Sequence, residues 1–192
     1  MDKSDNITAP QLVLASASPR RHTLLKTAGI PHIVRPTHVA EVHYDDRPET
    51  TAQENTRRKL TEAIERNPGY AVIAADTVLE FEGRCLGKPP DLKAARNMLK
   101  ALSGNSHKVI TATGLFCPND PPLINTSVTV VKFRPLTDET IGDYFRVVNP
   151  LDKAGGYDIG DHGELLLDSY DGSWTNIIGL PMEIINAWWH TC

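Results

Sequence analysis

The residues with most chemistry to offer lie in the octet Leu14-Ala15-Ser16-Ala17-Ser18-Pro19-Arg20-Arg21. An apolar, β-prone run, Gln11–Leu14, ends there in small hydroxylated residues. Pro19 stands where a helix would begin, a position that tolerates proline because its missing N–H would have no partner. Ser18 is then a natural N-cap, with backbone donors and the positive end of the helix dipole facing outward. Such an end attracts anions, and Arg20 and Arg21 add fork-shaped donors matched to phosphate oxygens. The octet has the composition of a polyphosphate grip, although a capped surface helix with two solvated arginines would contain the same residues.

Asp76 ends the apolar run Ala71–Ala75 and precedes Thr77-Val78-Leu79. A carboxylate inside such a strand is costly unless it is paired, metal-bound or facing a cleft. Lys88, in Gly87-Lys88-Pro89, lies just past a hairpin, from which its ammonium can fold back toward the same strand end. Glu41 sits in a polar loop, Lys59 in the basic run Arg57-Arg58-Lys59 of an expected helix, and His107 behind Ser103-Gly104. Each of these three has an ordinary alternative: a surface acid, a solvated charged face, a strand histidine with a bonded imidazole. The chain contains no G-x-x-x-x-G-K-[ST] loop, no H-E-x-x-H and no G-x-S-x-G, and its seven histidines show no zinc-ligand spacing. Paired arginines, an in-strand aspartate, a loop glutamate and lysines suit phosphoanhydride hydrolysis. Cations neutralise polyphosphate, carboxylates hold a divalent ion, and one carboxylate activates water.

A chain of 192 residues can bury one substantial core or two small lobes that share a cleft. Net charge is −4, so general nucleic-acid or anionic-membrane binding has no electrostatic support and any anion site must be built locally. Cys85, Cys117 and Cys192 are scattered and odd in number, which suggests neither a disulfide framework nor a zinc ribbon and favours a reducing compartment. Residues 1–10 carry no apolar signal core, and no window approaches a membrane span. The expectation is a cytoplasmic protein with no membrane partner.

Strand-like and helix-like segments alternate, as in an α/β layered architecture. Helical character over Arg21–Ala28 stops at Gly29-Ile30-Pro31, and His32–Arg35 is a short strand candidate before the polar loop Pro36–Pro48. Thr51–Glu65 reads as helix and Tyr70–Glu80 as the strongest strand, with Glu82-Gly83 turning into Arg84–Leu86. Asp91 caps a helix over Leu92–Leu102. His107–Cys117 and Leu123–Phe133 alternate like an antiparallel pair, so the sheet is mixed. Thr137 caps Asp138–Val147, the glycine-rich stretch Gly155–Gly163 leads to Glu164–Asp168, and Leu180-Pro181 opens a last helix to about Trp189.

Six blocks, in one colinear order from about Leu12 to Trp188, resemble the Maf family of nucleoside triphosphate pyrophosphatases. They are Leu14–Arg21, Ala75-Asp76-Thr77-Val78, Gly87-Lys88-Pro89, Ser103-Gly104-x-x-His107-x-Val109-x-Thr111, Pro150–Gly155 and Gly179-Leu180-Pro181. The resemblance implies an elongated, ITPase-like α/β fold: a mixed sheet with flanking helices and two lobes around a nucleotide cleft. Residues 11–192 would form a single catalytic domain behind a flexible N-terminus, residues 1–10. It also implies a homodimer and hydrolysis of nucleoside triphosphates to monophosphate and pyrophosphate, with Mg²⁺ or Mn²⁺, in nucleotide-pool sanitation. By the same resemblance Asp76 is the proton acceptor, Glu41, Lys59 and Lys88 line the cleft, and Ser18, Arg20 and Arg21 form the phosphate-contacting turn. Asp76 and Glu41 would share the cation.

Thr77 resembles the branch acting on dTTP and UTP, whereas the 7-methyl-GTP branch tends to have Gln there. The family pattern A-G-A-Y-G-I-Q-G stands here as Ala154–Asp161, so the glutamine tied to specificity is replaced by Gly160. Asn149 stands where an acid is common. Asp161 is the expected stand-in for the lost polar contact at this substrate-binding position. The alternatives are a 7-methyl-GTP-type enzyme and a nucleotide-binding regulatory protein with weakened catalysis. A nucleic-acid module built on Arg57-Arg58-Lys59 fits the net charge poorly.

Overall fold

The computed structural model describes residues 10–192, so the expected flexible N-terminus lies, apart from Pro10, outside the described residues. Strand β1 (Leu12–Leu14) leads into α1 (Pro19–Thr27), β2 (Ile33–Val34), α2 (Pro48–Arg66) and the long strand β3 (Ala71–Phe81). There follow β4 (Arg84–Leu86), α3 (Leu92–Leu102), β5 (Ser106–Phe116), β6 (Leu123–Phe133) and α4 (Asp138–Val147). Two 3₁₀ turns, Ala154–Gly156 and Gly163–Leu165, precede β7 (Leu167–Asp171), α5 (Trp174–Ile178) and α6 (Met182–Trp189).

Among the described residues the sheet has seven strands in the order β2-β1-β3-β5-β6-β7, with β4 paired to β3. β1 runs parallel to β2 and β3, and every other pairing is antiparallel. The mixed sheet with flanking helices expected from the sequence is therefore present. β3 is continuously apolar over Ala71–Ala75 because both of its faces are covered there. Ile73 and Ala75 pack with Leu25, Leu180 and Ile185. Val72 and Ala74, on the opposite face, pack with Leu60 and Ala63 of α2. Helix α2 comes unusually close to the sheet at Gly114, where a Cβ would lie 3.0 Å from both Leu60 and Thr56. A third cluster joins Leu99, Leu102, Phe133, Ile141, Tyr144 and Tyr157 over the other half of the sheet. The cleft opens along the border between these cores.

Local expectations are met unevenly. Asp91 and Thr137 cap their helices through the side chain, accepting from Ala94 N and Thr140 N. Ser18 occupies the N-cap position of α1 but makes no side-chain cap bond; its own N–H donates instead to Ser16 Oγ at 3.2 Å. Helix α2 begins earlier than expected, at Pro48, again because proline fits the first turn. Glu164–Asp168 divides between a 3₁₀ turn and β7, and α5 was not anticipated. One expectation is overturned: Cys117 and Cys192 form a disulfide across 75 residues of sequence. The fold returns the C-terminal tail to the end of β5, with Cα atoms 5.6 Å apart, a juxtaposition that cysteine spacing does not encode. Cys85 is free and buried.

Candidate active site

Alternation along β3 decides where each of its polar residues points. Asp76 continues the face of Val72 and Ala74, toward α2, whereas Thr77 continues the opposite face, toward α1 and α5. On α2, Asn55 and Lys59 are one helical turn apart and so share a face. Lys59 Nζ donates to Asp76 Oδ1 at 2.7 Å, and Asn55 Nδ2 donates to Asp76 Oδ2 at 3.2 Å. The same two side chains also hold the loop before α2. Lys59 Nζ lies 2.6 Å from Glu41 Oε1, while Asn55 Oδ1 accepts from Val42 N at 2.8 Å. Asp76 is only 8% exposed, so this pairing compensates a charge the strand would otherwise bury at large cost. Desolvation acts to raise the Glu41 pKa, but the Lys59 hydrogen bond and charge, with the Lys88 and Arg21 charges, outweigh it and lower the pKa.

On the other face of β3, Arg21 is almost fully engaged. Its Nε donates to Gly179 O at 2.8 Å, Nη1 to Ala75 O at 2.8 Å and Ser16 Oγ at 3.1 Å, and Nη2 to Thr77 Oγ1 at 3.1 Å. Gly179, in the left-handed region at φ 107°, lets its backbone approach this guanidinium; a Cβ there would lie 3.2 Å from Thr77 Oγ1. Thr77 continues the network to Thr111 at 2.9 Å, which in turn donates to Asn176 O. Burial lowers the Arg21 pKa and the Asp76 charge opposes that. The neighbouring arginine has a different situation. Arg20 is exposed and its guanidinium meets Asp158. The two arginines of the octet thus divide into one that ties strand ends together and one that reaches the solvent side of the cleft.

The cleft encloses about 450 Å³, a volume in the range of small-molecule sites. Ser18, Arg20, Arg21, Glu41, Lys59, Asp76, Thr77 and Lys88 all line it, so residues remote in sequence are brought to one hollow. Asp152, Lys153 and Asp158 line it as well. Five cationic side chains therefore face four carboxylates: Arg20, Arg21, Lys59, Lys88 and Lys153 against Glu41, Asp76, Asp152 and Asp158. Lys153 pairs with Asp152. No partner engages Lys88 among the described residues, which leaves its charge available to a ligand. A cleft with a positive balance in a chain of net charge −4 is a locally made anion site.

Gly160 lies beside this group, where a Cβ would be 3.4 Å from Asp158 Oδ1 and 3.9 Å from Arg20 Cδ. The expected stand-in, Asp161, is exposed, sits 3.8 Å from His162 Nε2 and does not line the cleft, whose carboxylate bonded to Gly160 N is that of Asp158. Chain direction explains the shift, since the 3.0 Å bond from Gly160 N to Asp158 Oδ1 curls the loop back on itself. Arg57 and Arg58 both pair with Glu54 on α2, which removes the free basic cluster a nucleic-acid module would need. His107 is a core residue bonded to Tyr157 Oη at 2.6 Å.

Among the described residues no group of three His, Cys, Asp or Glu side chains stands close enough to hold a metal unaided. Glu41 and Asp76 nevertheless flank the Lys59 ammonium, which brings two carboxylates together in the cleft. An oxygen-only pair of carboxylates fits a hard cation such as Mg²⁺, which binds one or two carboxylates and completes its shell with phosphate oxygens and water.

Reading the sequence missed Asn55, Asp152, Lys153 and Asp158 as cleft groups. Asn55 was findable, because it precedes Lys59 by four residues. Asp152 and Lys153 lay within a recognised block. Asp158 stood within the compared stretch Ala154–Asp161, where it replaces the pattern's glycine, and that departure was its signal.

The sequence matches the Maf-like protein family over residues 11–189, and the chain belongs to that family. It is 41% identical to a dTTP/UTP pyrophosphatase of Symbiobacterium thermophilum, over 90% of this chain and 89% of that protein. It is 42% identical to a dTTP/UTP pyrophosphatase of Thermococcus gammatolerans, over 91% of this chain and 92% of that one. Among solved structures, the Ham1 protein of Staphylococcus aureus aligns with a TM-score of 0.47 and 16% identity, over 64% of this chain and 71% of that chain.

Proposed function

We propose that this protein is a nucleoside triphosphate pyrophosphatase that hydrolyses the α–β phosphoanhydride of dTTP and UTP to the monophosphate and pyrophosphate. The observation that carries the reading is Asp76 on the cleft floor, its two oxygens held by Lys59 and Asn55, within a hollow of positive balance. Family membership and the shared name of the two relatives supply the substrate class.

In the proposed reaction, water adds to a phosphorus flanking the α–β bridging oxygen, and that P–O bond breaks. Asp76 accepts the proton of the water. Lys59 orients Asp76 and Glu41, Lys88 neutralises the charge that develops on the leaving phosphate group, and Arg20 grips the polyphosphate in ground state and transition state alike. Arg21 holds Thr77 and the end of β1 in place rather than spending its donors on phosphate. Ser18 and the turn before α1 face the same hollow, with backbone donors suited to phosphate oxygens. Asp76 and Glu41 would hold Mg²⁺ or Mn²⁺, which when bound supplies charge neutralisation on the phosphates. Residues 11–192 act as one catalytic domain, and the working form is a homodimer that takes part in nucleotide-pool sanitation. No helix among the described residues is long and apolar enough to cross a membrane.

The test is a panel of triphosphates, including dTTP, UTP and 7-methyl-GTP, incubated with purified protein and Mg²⁺ while pyrophosphate is followed. Turnover of dTTP and UTP is expected, and an Asp76→Asn variant should lose about 100-fold or more while still binding nucleotide. A folded protein with no turnover of any triphosphate would refute the enzyme and leave a nucleotide-binding regulator. A preference for 7-methyl-GTP would move it to the other branch.

A further inference from the structure

Asp158 is held more firmly than a cleft carboxylate needs to be. The Tyr144 hydroxyl, itself in the core, binds the Asp158 backbone on both sides, accepting from its N–H at 2.7 Å and donating to its carbonyl at 3.0 Å. Asp158 Oδ1 accepts from Gly160 N at 3.0 Å, so one carboxylate oxygen is fixed by the loop itself. The other oxygen, Oδ2, takes Nη1 of Arg20. The side chain of Asp158 is 11% exposed, against 42% for Arg20. An immobile acid therefore tethers a half-exposed arginine that has no other guanidinium partner among the described residues.

Gly160 borders this pair: a Cβ there would lie 3.1 Å from Ile178 Cδ1, the far end of a flexible side chain, and in ordinary contact with Asp158 Oδ1 at 3.4 Å and Arg20 Cδ at 3.9 Å. An untethered arginine loses much rotamer freedom on gripping a phosphate. Fixing one Nη1 in advance removes part of that loss and leaves Nε and Nη2 to donate. The carboxylate's repulsion of phosphate is blunted because its charge is already compensated by the guanidinium it holds.

We infer that Asp158 is a positioning residue that pre-orients Arg20 for the substrate's polyphosphate. The inference rests on the pyrophosphatase reading for the identity of the ligand, but its test does not need turnover. Binding of inorganic tripolyphosphate is measured by calorimetry in the wild type, Asp158→Ala, Arg20→Ala and the double variant. Asp158→Ala should weaken binding about tenfold, which corresponds to about 1.4 kcal/mol. In the Arg20→Ala background it should cost nothing further, an interdependence that a merely structural role would not produce. With UTP, the KM of Asp158→Ala should rise by a similar factor while kcat stays within about twofold. Asp158→Asn, which keeps an acceptor, should recover part of the loss and can carry the same cycle if the alanine variant unfolds. Unchanged or tighter binding in both Asp158 variants, an equal loss without Arg20, or no tripolyphosphate binding by folded wild type would overturn the inference. An intact cycle without UTP turnover would instead sink the pyrophosphatase reading and leave Asp158 in place.

Discussion

Lys59 Nζ lies 2.7 Å from Asp76 Oδ1, and the same ammonium sits 2.6 Å from Glu41. One cation therefore separates two carboxylates that would otherwise repel each other in a half-dry cleft. Lys59→Met keeps the stem but removes the charge, leaving Asp76 buried without its counter-ion. We expect a loss of stability of about 3 kcal/mol in urea denaturation, the usual cost of breaking a buried pair from one side. Turnover should fall about 100-fold or more. Wild-type kcat in this variant would remove the ammonium from the mechanism.

Asn55 works beside Lys59 but through geometry alone. It is 3% exposed, and its amide spans Asp76 Oδ2 and the backbone of Val42, next to Glu41. Asn55→Leu preserves volume and strands those partners, so stability should drop by about 2 kcal/mol. Because this bridge orients the proton acceptor rather than gripping the nucleotide, kcat should fall about tenfold with KM nearly unchanged. A rise in KM alone would show that the bridge does not orient Asp76.

The two arginines of the octet should separate cleanly by phenotype. Arg21→Ala deletes four hydrogen bonds and leaves the Ala75 and Gly179 carbonyls without that partner, so it should cost about 3 kcal/mol or more. Arg20→Ala, at an exposed site, should change stability by less than about 0.5 kcal/mol yet raise KM for nucleotide. Thermal melts and steady-state kinetics on the same preparations check both. Equal destabilisation by the two substitutions would contradict the division of labour.

Much of the fold was legible because its signals are local. The apolar run before Asp76 reads as a doubly covered strand, the Asp91 and Thr137 caps mark their helices, and Glu82-Gly83 turns β3 into β4. Asp76 stood out for the same reason: a carboxylate in such a run demands a partner. What the sequence could not give is partnership across space. That Arg21 faces Thr77 while Arg20 faces Asp158 depends on how α1 sits on the sheet. The Cys117–Cys192 bridge depends on where the C-terminal tail returns. Asp158 departs from the glycine of the family pattern, but that departure does not say what it meets; the folded loop, curled by the bond from Gly160 N, is what places it beside Arg20.

His107 gives the fold a pH dependence with a defined sign. Its ring packs edge-on against Phe133 and Tyr157, Nε2 bonds Tyr157 Oη, and Nδ1 has no partner among the described residues. Burial lowers its pKa from 6.5 to about 4, with the nearby Glu80 charge opposing. Below pH 6.5 the unfolded chain takes up a proton that the folded protein refuses until about pH 4, so the unfolded state binds more protons in that window. Stability should therefore be full above pH 6.5 and decline as pH falls toward 4. The total loss would be about 3 kcal/mol, at roughly 1.4 kcal/mol per pKa unit. Carboxylates whose pKa values the fold lowers, such as Glu41 and Glu80, contribute only near and below the ordinary carboxylate range, so the interval from pH 6.5 to 5 isolates the histidine. Urea midpoints at pH 7, 6 and 5 should show this slope in the wild type and lose it in His107→Gln. A slope that persists in the variant would assign the dependence to another group.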